Sequence, residues 1–594
     1  MTKRFLLPGL VSLMALAACQ PQPASPTTEA AAAPEASADA PAETGRVWTK
    51  GAMVSAADPR AVEAGLAVLR EGGTAVDAAI AVHAVLGLVE PQSSGIGGGG
   101  FMVYYDFDDD ALTVFDGRET APSSADENLF VENGEVLGFV PAWQSGRSVG
   151  VPGAIALYKA AHDAEGQAEW ARLFQPAIDL ASEGFDVSPR LAGFLANPQL
   201  RAATRLDDHP ASAAYFYPEG EPLAAGDVRV NEPYAALLSA VAQDGPSAFY
   251  TGANAEAIVA AVSEDPLPGA LSVADIAGYE VVIRDALCGD HETLRICSAP
   301  PPSSGGITQN MIYGLYKRMV PEDVGEEDVL LAWTDAQKLA YADRDHYVGD
   351  PDFVDVPSEA LIDPAYLDVR AGEAGPFDKA TPPGDPGEVL GLGSMIGMWG
   401  SDLTDEQPGT THLSVVDQYG NAVAFTATVE SPFGNARMVN GYLLNNQLTD
   451  FSRQPRINGK LVANAPDGGK RPRSSMSPTL VFDEEGDLFM VTGSPGGNSI
   501  VAYVSKTILG VAEWGMDAQE AVDLPNLIGR GDQIGVETSV PRGEEWTGIL
   551  DAIGYTVQER SGENSGLNII VVREDGLEGA ADKRREGVAM GFKP

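Results

Sequence analysis

Histidine and cysteine are scarce in this chain of 594 residues, which contains six histidines and three cysteines. The histidines are scattered, and His291-Glu292 lacks the second histidine of a zinc-binding helix. The sequence also lacks a Walker loop and the G-x-S-x-G spacing of a serine-hydrolase elbow. We therefore expect no metal site and no other cofactor.

Basic residues are also few, because 38 Lys and Arg stand against 85 Asp and Glu, for a formal net charge of −47. A surface of this sign repels phosphate backbones and anionic lipid head groups. Nucleic acid is therefore not an expected partner. The acidity itself says little about the type of reaction.

Two sequence motifs match a known pattern in part of their residues, but each lacks the structural context or the further residues that the pattern requires. The glycine-rich run at residues 95–100 precedes a strand, whereas the dinucleotide fingerprint lies between a strand and a helix. A calcium-binding loop starting at Asp106 would need a glycine where Ala111 stands and a glutamate where Gly117 stands, so the acidic run at residues 106–110 does not fit one. We interpret that run as a solvated hairpin turn.

The N-terminus has the layout of an export signal. Lys3 and Arg4 precede an apolar stretch that ends at Ala18, and Cys19 follows. The residues before Cys19 resemble the cleavage site of bacterial lipoproteins, so residues 1–19 are interpreted as a lipoprotein signal that is cut before Cys19, with lipid attached to Cys19 as the new N-terminus. An ordinary signal peptide, whose cleavage site also has small residues, is the alternative. Residues 20–45, rich in Ala, Pro, Thr, Ser and Glu, are predicted to be a disordered tether. The expected location is the periplasm or cell envelope, with a lipid anchor as the only membrane contact.

The other two cysteines, Cys288 and Cys297, flank a predicted hairpin with strand-like residues 279–287 and 293–298. A cross-strand disulfide is plausible in an oxidising compartment. Spacing alone leaves two buried thiols as the alternative.

The chain alternates between strand-rich ends and a helical middle. Predicted helices begin after Asp58 and at Ala75, and residues 150–385 are mainly helical. Predicted hairpins join strands 411–416 and 422–429, and 478–482 and 488–492, before a helix at 500–511. This order predicts a layered α+β body rather than a string of domains.

Gly409-Thr410 places a small residue directly before a threonine that opens a strand. A threonine hydroxyl is a weak nucleophile without a neighbouring base. Cleavage of this bond would free the α-amino group of Thr410, with an ordinary pKa of about 7.7 to 8.0, as that base. Taken alone, Thr410-Thr411-His412 is more typical of an ordinary strand.

Separated motifs change that interpretation. They are Gly73-Thr74-Ala75-Val76-Asp77-Ala78-Ala79, Gly97-Gly98-Gly99-Gly100-Phe101-Met102, Pro300-Pro301-Pro302-Ser303-Ser304-Gly305-Gly306, Ala342-Asp343-Arg344, Gly349-Asp350-Pro351, Thr410-Thr411-His412, Leu443-Leu444-Asn445-Asn446-Gln447, Ser474-Ser475-Met476-Ser477-Pro478-Thr479 and Gly493-Ser494-Pro495-Gly496-Gly497. With these runs the chain, from about residue 46 to its end, resembles the gamma-glutamyltransferase family of N-terminal nucleophile (Ntn) hydrolases. The resemblance implies a four-layer αββα fold.

The resemblance also implies self-cleavage between Gly409 and Thr410. The products would be a large subunit, residues 46–409, and a small subunit, residues 410–594, which form a heterodimer and a single domain. Thr410 would be the nucleophile and Thr428 its hydrogen-bonding support. The backbone N–H groups of Gly496 and Gly497 would form the oxyanion hole, where glycine allows close approach of the main chain.

The implied substrate is a small gamma-glutamyl compound such as glutathione, which carries a free carboxylate and a free amine. Arg118 would bind the carboxylate through its fork of donors. A local pair of Arg118 with Asp116 or Glu119 remains the alternative. The other implied substrate-binding residues are Ser474 and Ser475 for the carboxylate, and Glu430, Gln447 and Asp450 for the amine.

One departure from the family concerns the lid over this pocket. Residues 451–474 contain no tyrosine, whereas many relatives have an aromatic lid residue there, so hydrolysis is favoured over transfer to an acceptor. Two alternatives stay open. One is an acylase for glutaryl or cephalosporin side chains, although Asp450 and Glu430 would then lack an amine partner. The other is an inactive envelope lipoprotein that acts as a binding module.

Overall fold

The computed structural model describes residues 48–593, except 265–266, 322–324, 376–378, 403 and 563–564. The predicted signal segment, the tether and Cys19 lie outside the described residues. Among the helices that are described, none is both long and apolar enough to span a bilayer.

Two antiparallel sheets form the centre of the molecule. In spatial order, the seven-stranded sheet consists of Val588–Phe592, Ala52–Ala56, Gly409–Val416, Ala422–Glu430, Gly99–Asp106, Ala111–Gly117 and Val282–Arg284. The six-stranded sheet consists of Gly576–Ala581, Asn568–Arg573, Leu488–Thr492, Thr479–Phe482, Arg295–Ser298 and Leu287–Asp290. Smaller sheets use Val131–Glu132, Glu135–Val136, Phe185–Asp186, Val228–Arg229, Met438–Val439, Tyr442–Leu443, Arg456–Ile457, Lys460–Leu461, Leu527–Arg530, Gln533–Glu537 and Val557–Arg560.

Helices cover the outer face of each sheet. Those packed on the seven-stranded sheet and its neighbouring helices are Pro59–Arg70, Ala75–Val89, Ala154–Glu165, Trp170–Glu183, Glu232–Asp244, Ser247–Tyr250 and Gly252–Val262. Those on the other side are Gly305–Met319, Glu326–Tyr347, Ser358–Ile362, Pro364–Ala371, Ile500–Ala512, Ala518–Asp523 and Gly543–Ile553. The peripheral helices are Phe139–Gln144, Pro189–Ala196, Pro198–Thr204, Pro210–Phe216, Val273–Ala277 and Pro386–Val389.

Both faces of the central strands are apolar because each face is covered. Along Gly99–Asp106, Phe101 and Tyr105 point into the core shared with the six-stranded sheet. Met102 and Tyr104, one residue out of phase, join the core formed with the helices. This alternation follows from the two-residue period of a strand. The result is the predicted order of helix, sheet, sheet and helix.

The predicted helix starts are confirmed, with their caps. Asp58 accepts a hydrogen bond from the backbone N–H of Arg60 and caps the first helix. Thr74 and Asp77 form a reciprocal capping box at the start of Ala75–Val89, a helix that is buried along its whole length. Such caps satisfy backbone N–H groups that have no partner within the helix.

The strand that begins at Gly409 lies in the middle of the seven-stranded sheet. This Thr410 strand (Gly409–Val416) pairs with the Thr428 strand (Ala422–Glu430), as the sequence predicted, in a register that sets Thr410 opposite Thr428. The register shifts between Gly409 and Thr410. The irregularity leaves the bond between these two residues at the end of the regular ladder.

The predicted hairpin around the two cysteines is only partly correct. Cys288 and Cys297 face each other on adjacent strands, and their sulfur atoms are 2.04 Å apart in a disulfide. The expected continuous strand at residues 279–287, however, is wrong. Its first part, Val282–Arg284, pairs within the seven-stranded sheet, whereas Leu287–Asp290 belongs to the six-stranded sheet, so the chain changes sheets between them.

Candidate active site

The Thr410 hydroxyl lies beside the carbonyl group that precedes it in the chain. Thr410 Oγ1 donates to Thr428 Oγ1 at 3.1 Å, and Thr428 Oγ1 donates to the Gly409 carbonyl oxygen at 2.6 Å. The backbone N–H of Glu430 also donates to Thr428 Oγ1, at 2.8 Å. Both threonines are buried. Thr428 therefore connects the Thr410 hydroxyl to the carbonyl of the Gly409–Thr410 bond.

Gly409 occupies a position that has no room for a side chain. A Cβ atom at Gly409 would lie 2.2 Å from the Glu430 carbonyl oxygen and 2.5 Å from the Ser431 carbonyl carbon. Both neighbours are backbone atoms, one at the end of the adjoining strand and one just beyond it, so neither can move aside as a flexible side chain would. The requirement for glycine before Thr410 is therefore steric.

The two glycines predicted for the oxyanion hole lie at the start of the helix Ile500–Ala512. Gly496 and Gly497 have φ values of +140° and +56°, which favour glycine. The segment before Thr410 covers Gly497, because a Cβ there would be 2.4 Å from the Glu406 carbonyl oxygen. We call residues 404–408 the preceding segment. In the uncut chain, this segment occupies the space directly over Gly497.

Asp450 and Gln447 form a buried acidic corner near the two threonines. Gln447 Nε2 donates to Asp450 Oδ2 at 2.7 Å. Asp450 Oδ1 and Gln447 Oε1 are both buried and have no hydrogen-bond partner among the described residues. Burial, and then the neighbouring Glu430 carboxylate, raise the pKa of Asp450 well above its ordinary value, against the opposing effect of Arg118. The corner thus presents two buried acceptors without a donor.

Glu430 lies at the end of the Thr428 strand with φ +79°, a conformation that is costly for a residue with a side chain. Its carboxylate accepts hydrogen bonds from the Ser431 hydroxyl and the Asn446 amide, and from the Gln407 backbone N–H at 3.0 Å. Burial raises its pKa, although these bonds oppose the shift. Glu430 therefore connects the acidic corner to the preceding segment.

Arg118 is fully buried and contacts the acidic corner rather than only its sequence neighbours. Its Nη2 donates to Asp450 Oδ2 at 2.6 Å and to the Arg473 carbonyl oxygen at 2.8 Å, while Nε donates to the Pro472 carbonyl oxygen at 3.1 Å. The expected local partner Glu119 is 3.9 Å from Nη1. The side chain of Asp116 pairs instead with Arg284, at 2.8 Å.

Ser474 and Ser475 follow Arg473 on the same loop. The Ser475 hydroxyl accepts a hydrogen bond from Arg344, and its backbone N–H donates to Glu406 Oε2 at 2.8 Å. The Ser474 hydroxyl accepts from the backbone N–H of Met476 at 3.1 Å. The structure therefore brings all the predicted catalytic and substrate-binding residues into one region, whereas Cys288 and Cys297 lie at the far edge of the six-stranded sheet.

Sequence reasoning missed several residues of this region. Arg585 Nη1 donates to the Thr410 carbonyl oxygen at 2.7 Å, and burial lowers the pKa of this guanidinium to about 9. Arg344, Arg473 and Glu406 were also missed as site residues. The Arg344 motif was recognised only as part of the family resemblance, and the contacts of these residues span tens of positions in the chain. The two arginines that flank Pro472, directly before Ser474 and Ser475, are the one signal that could have pointed to Arg473.

Comparison with known proteins identifies the family of the chain. The family model Gamma-glutamyltranspeptidase matches residues 61–592. The glutathione hydrolase proenzyme of Escherichia coli (strain K12) is 36% identical over 551 residues, covering 91% of each chain. That of Bacillus subtilis (strain 168) is 35% identical and covers 91% of this chain and 92% of its own.

Among solved structures, the cephalosporin acylase of Bacillus halodurans superposes with a TM-score of 0.80 at 25% identity, covering 94% of this chain and 99% of that one. The fold is therefore the four-layer Ntn-hydrolase fold. On the family match and on the two curated relatives, the chain is an enzyme that belongs to the gamma-glutamyltranspeptidase family.

Proposed function

We propose that the chain is a precursor that cleaves its own Gly409–Thr410 bond and then hydrolyses gamma-glutamyl amides through an ester on Thr410. The observation that carries this proposal is the hydrogen-bonded path from the Thr410 hydroxyl through Thr428 to the Gly409 carbonyl oxygen. The two products are the large subunit, residues 46–409 with the tether still attached in front of it, and the small subunit, residues 410–594. They remain together because both contribute strands to the same two sheets.

The first reaction uses the scissile bond of the chain itself. Thr410 Oγ attacks the Gly409 carbonyl carbon, the Gly409–Thr410 C–N bond breaks, and the acyl group moves to oxygen as an ester. The nitrogen takes up the proton that the Thr410 hydroxyl gives up and leaves as the α-amino group of Thr410, and water then hydrolyses the ester to give the Gly409 carboxylate. Thr428 donates to the carbonyl oxygen on which negative charge develops, which is where a donor lowers the barrier.

The second reaction repeats this chemistry on a substrate amide. The freed amine of Thr410 accepts the hydroxyl proton as Thr410 Oγ attacks the γ-carbonyl, and the amine of the leaving group departs with a proton. The backbone N–H groups of Gly496 and Gly497 are the proposed donors to the oxyanion. Water completes the cycle by hydrolysing the γ-glutamyl ester.

The acidic corner supports a substrate that bears an ammonium group. Asp450 Oδ1 and Gln447 Oε1 are buried acceptors without a donor among the described residues, an arrangement that is costly until an N–H group arrives. The α-ammonium of a γ-glutamyl group supplies such donors. A glutaryl group has none, so the acylase alternative leaves both acceptors unsatisfied despite the similarity to the cephalosporin acylase structure. Glutathione is the proposed physiological type of substrate.

Hydrolysis is proposed over transfer. Residues 451–474, which follow the acidic corner, contain the short hairpin Arg456–Ile457 and Lys460–Leu461 and no tyrosine. Without an aromatic cover, water has access to the ester. We also propose that the enzyme lies in the cell envelope: residues 1–19 act as a lipoprotein signal that is cut before Cys19, Cys19 carries the lipid, and residues 20–45 are the tether.

The test begins with a denaturing gel and intact mass of the purified protein, which should show a fragment of roughly 20 kDa that starts at Thr410, because the mechanism requires its free amine. The Thr410→Ala variant should remain uncut. Cleaved enzyme is then given γ-glutamyl-p-nitroanilide and glutaryl-p-nitroanilide in parallel. Faster hydrolysis of the γ-glutamyl compound supports the proposal, and faster hydrolysis of the glutaryl compound supports the acylase. An uncut wild-type chain without activity would favour the binding module.

A further inference from the structure

Arg585 contacts the nucleophile residue from the side opposite Thr428. The strand Ala52–Ala56 pairs with the Thr410 strand on that side, and the last pair of this register lies at Ser414. Beyond that pair, Arg585 Nη1 donates to the Thr410 carbonyl oxygen at 2.7 Å. A guanidinium therefore occupies the place where a longer strand would offer a backbone N–H.

The position of the Arg585 side chain is fixed by its surroundings. Its backbone N–H donates to the Asp582 carbonyl oxygen at 3.1 Å, which closes a tight turn. A Cβ at Gly566 would lie 2.6 Å from Arg585 Nε and 2.8 Å from Pro495 Cγ. The glycine thus leaves room for the guanidinium beside the loop that continues into Gly496.

Arg585 is a buried cation that has no carboxylate hydrogen-bonded to it among the described residues. It is 6% exposed, and its Nε and Nη2 atoms make no hydrogen bond within that part of the chain. Other buried arginines near the site each form an ion pair: Arg118 with Asp450, Arg344 with Glu406, and Arg473 with Asp402. An unpaired buried charge is costly, and this one is held against the carbonyl of the nucleophile.

The charges around Arg585 leave its own charge in place. The titratable groups that face its guanidinium are Arg190, Glu90, Asp582 and Tyr503, with Glu586 next in the chain. Glu90 pairs with Arg190 at 2.7 Å, and Asp582 pairs with Arg584 at 3.1 Å. Burial, and then Arg190, lower the pKa of Arg585 to about 9. The guanidinium is therefore still positively charged at neutral pH.

Cleavage of the Gly409–Thr410 bond creates a new titratable group next to this charge. The nitrogen of Thr410 is separated from its own carbonyl oxygen only by Cα and the carbonyl carbon. The freed amine therefore lies close to the guanidinium that holds that oxygen. A positive charge so near disfavours the ammonium form of the amine, and an ammonium cannot accept the hydroxyl proton.

The groups on the other side of the amine act in the opposite direction. They are Glu430, Asp450 and Arg118 and, in the preceding segment, Glu406. The carboxylates favour the ammonium form when they are ionised, although Arg118 pairs with Asp450. His412, on the same strand as Thr410, is neutral because burial lowers its pKa to about 3. Arg585 is therefore a cation placed to offset these acids at Thr410 itself.

We propose that Arg585 is a positioning residue for the nucleophile: it fixes the Thr410 main chain, and its charge keeps the freed amine unprotonated, and therefore basic, near neutral pH. This inference rests on the proposed function, because the amine exists only after cleavage. It adds to that function a residue that sets the pH dependence of the reaction. Because the effect passes through Thr410, KM should change little.

The test is the pH profile of kcat/KM for γ-glutamyl-p-nitroanilide on cleaved enzyme, with rates normalised to the amount of fragment that starts at Thr410. The acid limb of this profile reports the essential base of the free enzyme. In Arg585→Gln, which removes the charge, the limb should move about one unit toward higher pH, so activity below the limb falls about tenfold. The plateau at high pH should change much less. Arg585→Lys retains a positive charge and should keep the limb near its wild-type position.

The matched control is Lys583→Gln, which removes a cation from the same turn. The Lys583 side chain is 71% exposed and pairs with Asp523, so water screens its charge and the limb should not move. The comparison of wild type and Arg585→Gln is then repeated in 1 M NaCl, where the screening length is about 3 Å. The shift should persist, because Arg585 is buried. A shift that disappears comes from the surface charge of the chain and overturns the assignment.

An acid limb at the wild-type pH in Arg585→Gln would overturn the inference, and so would an equal loss of activity at every pH, which indicates a structural role. If Arg585→Gln is not cleaved, Arg585→Lys decides: a limb at the wild-type position supports the inference, and a displaced limb overturns it. A wild-type chain that stays uncut, or that hydrolyses only the glutaryl anilide, refutes the proposed function instead. A cleaved γ-glutamyl hydrolase whose limb does not respond to Arg585→Gln refutes only the role of Arg585.

Discussion

Thr428 is the residue whose replacement tests the cleavage geometry most directly. Its hydroxyl accepts from the Thr410 hydroxyl at 3.1 Å and from the Glu430 N–H at 2.8 Å, and it donates to the Gly409 carbonyl oxygen at 2.6 Å. Thr428→Val keeps the shape of the side chain and its preference for a strand. The variant therefore removes three hydrogen bonds with little change in packing.

The size of the effect follows from what each bond does. Loss of the donor to the Gly409 carbonyl resembles loss of one oxyanion donor, which slows a reaction about 10²- to 10³-fold. The Glu430 N–H and the Gly409 carbonyl would also be left buried without this partner. Each such group costs about 1–3 kcal/mol of folding stability. We expect cleavage of Thr428→Val to slow at least a hundredfold, with stability lowered by a few kcal/mol.

The assay follows the uncut fraction on a denaturing gel over time after rapid purification, together with thermal unfolding. Thr428→Ser keeps the hydroxyl and should cleave at close to the wild-type rate. Thr426→Val is the matched control, because Thr426 lies two residues earlier on the same face of the strand and its hydroxyl contacts His412 at 2.8 Å. Comparable slowing in Thr426→Val, or normal cleavage in Thr428→Val, would refute the proposed role of Thr428.

Three further outcomes are expected. Gly409→Ala should impair cleavage strongly, because the new methyl group would lie 2.2 Å from the Glu430 carbonyl oxygen. A gel time course measures the cleavage rate, and a rate equal to that of the wild type would contradict the steric argument. His83 is buried, which lowers its pKa to about 3, so the unfolded chain takes up a proton below pH 6.5 that the folded chain does not. The wild type should thus lose about 2 kcal/mol more stability than His83→Gln between pH 6.5 and pH 5, measured by denaturant unfolding. Equal losses of stability in the two proteins would contradict the lowered pKa of His83. Replacing Cys288 and Cys297 by serine opens a short loop and should cost about 2–3 kcal/mol in the same assay, with cleavage unchanged; slowed cleavage would place the disulfide in the site.

The position of the two threonines could be derived from the sequence because it depends on local pairing. Val416 and Ala422 flank a short turn and are paired in the structure. Counting back six residues along one strand and forward six along the other reaches Thr410 and Thr428. A hairpin with a defined turn fixes this register, so the predicted strands were sufficient to bring the two hydroxyls together.

The contacts among Arg344, Arg473 and Glu406 could not be derived in this way. Arg344 lies in a long helix, Arg473 in a loop and Glu406 in irregular chain, so no repeat or hairpin relates them. Their meeting depends on how the helical layer packs on the six-stranded sheet. The same limit explains the wrong strand at residues 279–287, where local strand propensity gave no sign that the chain moves from one sheet to the other.

The uncut chain has the parts of the hydrolase but is prevented from acting on a substrate in two ways. The nitrogen of Thr410 is held in an amide and is no base, and the preceding segment covers Gly497. Cleavage of the Gly409–Thr410 bond turns the Thr410 nitrogen into a free amine and allows the preceding segment to leave Gly497. We therefore expect the activity of slowly cleaving variants such as Gly409→Ala to rise in proportion to the fragment that starts at Thr410, with constant activity per fragment. If activity instead lags behind the fragment, departure of the preceding segment is a separate, slower step, and the length of the lag, measured by stopped samples on the same gel, gives its rate.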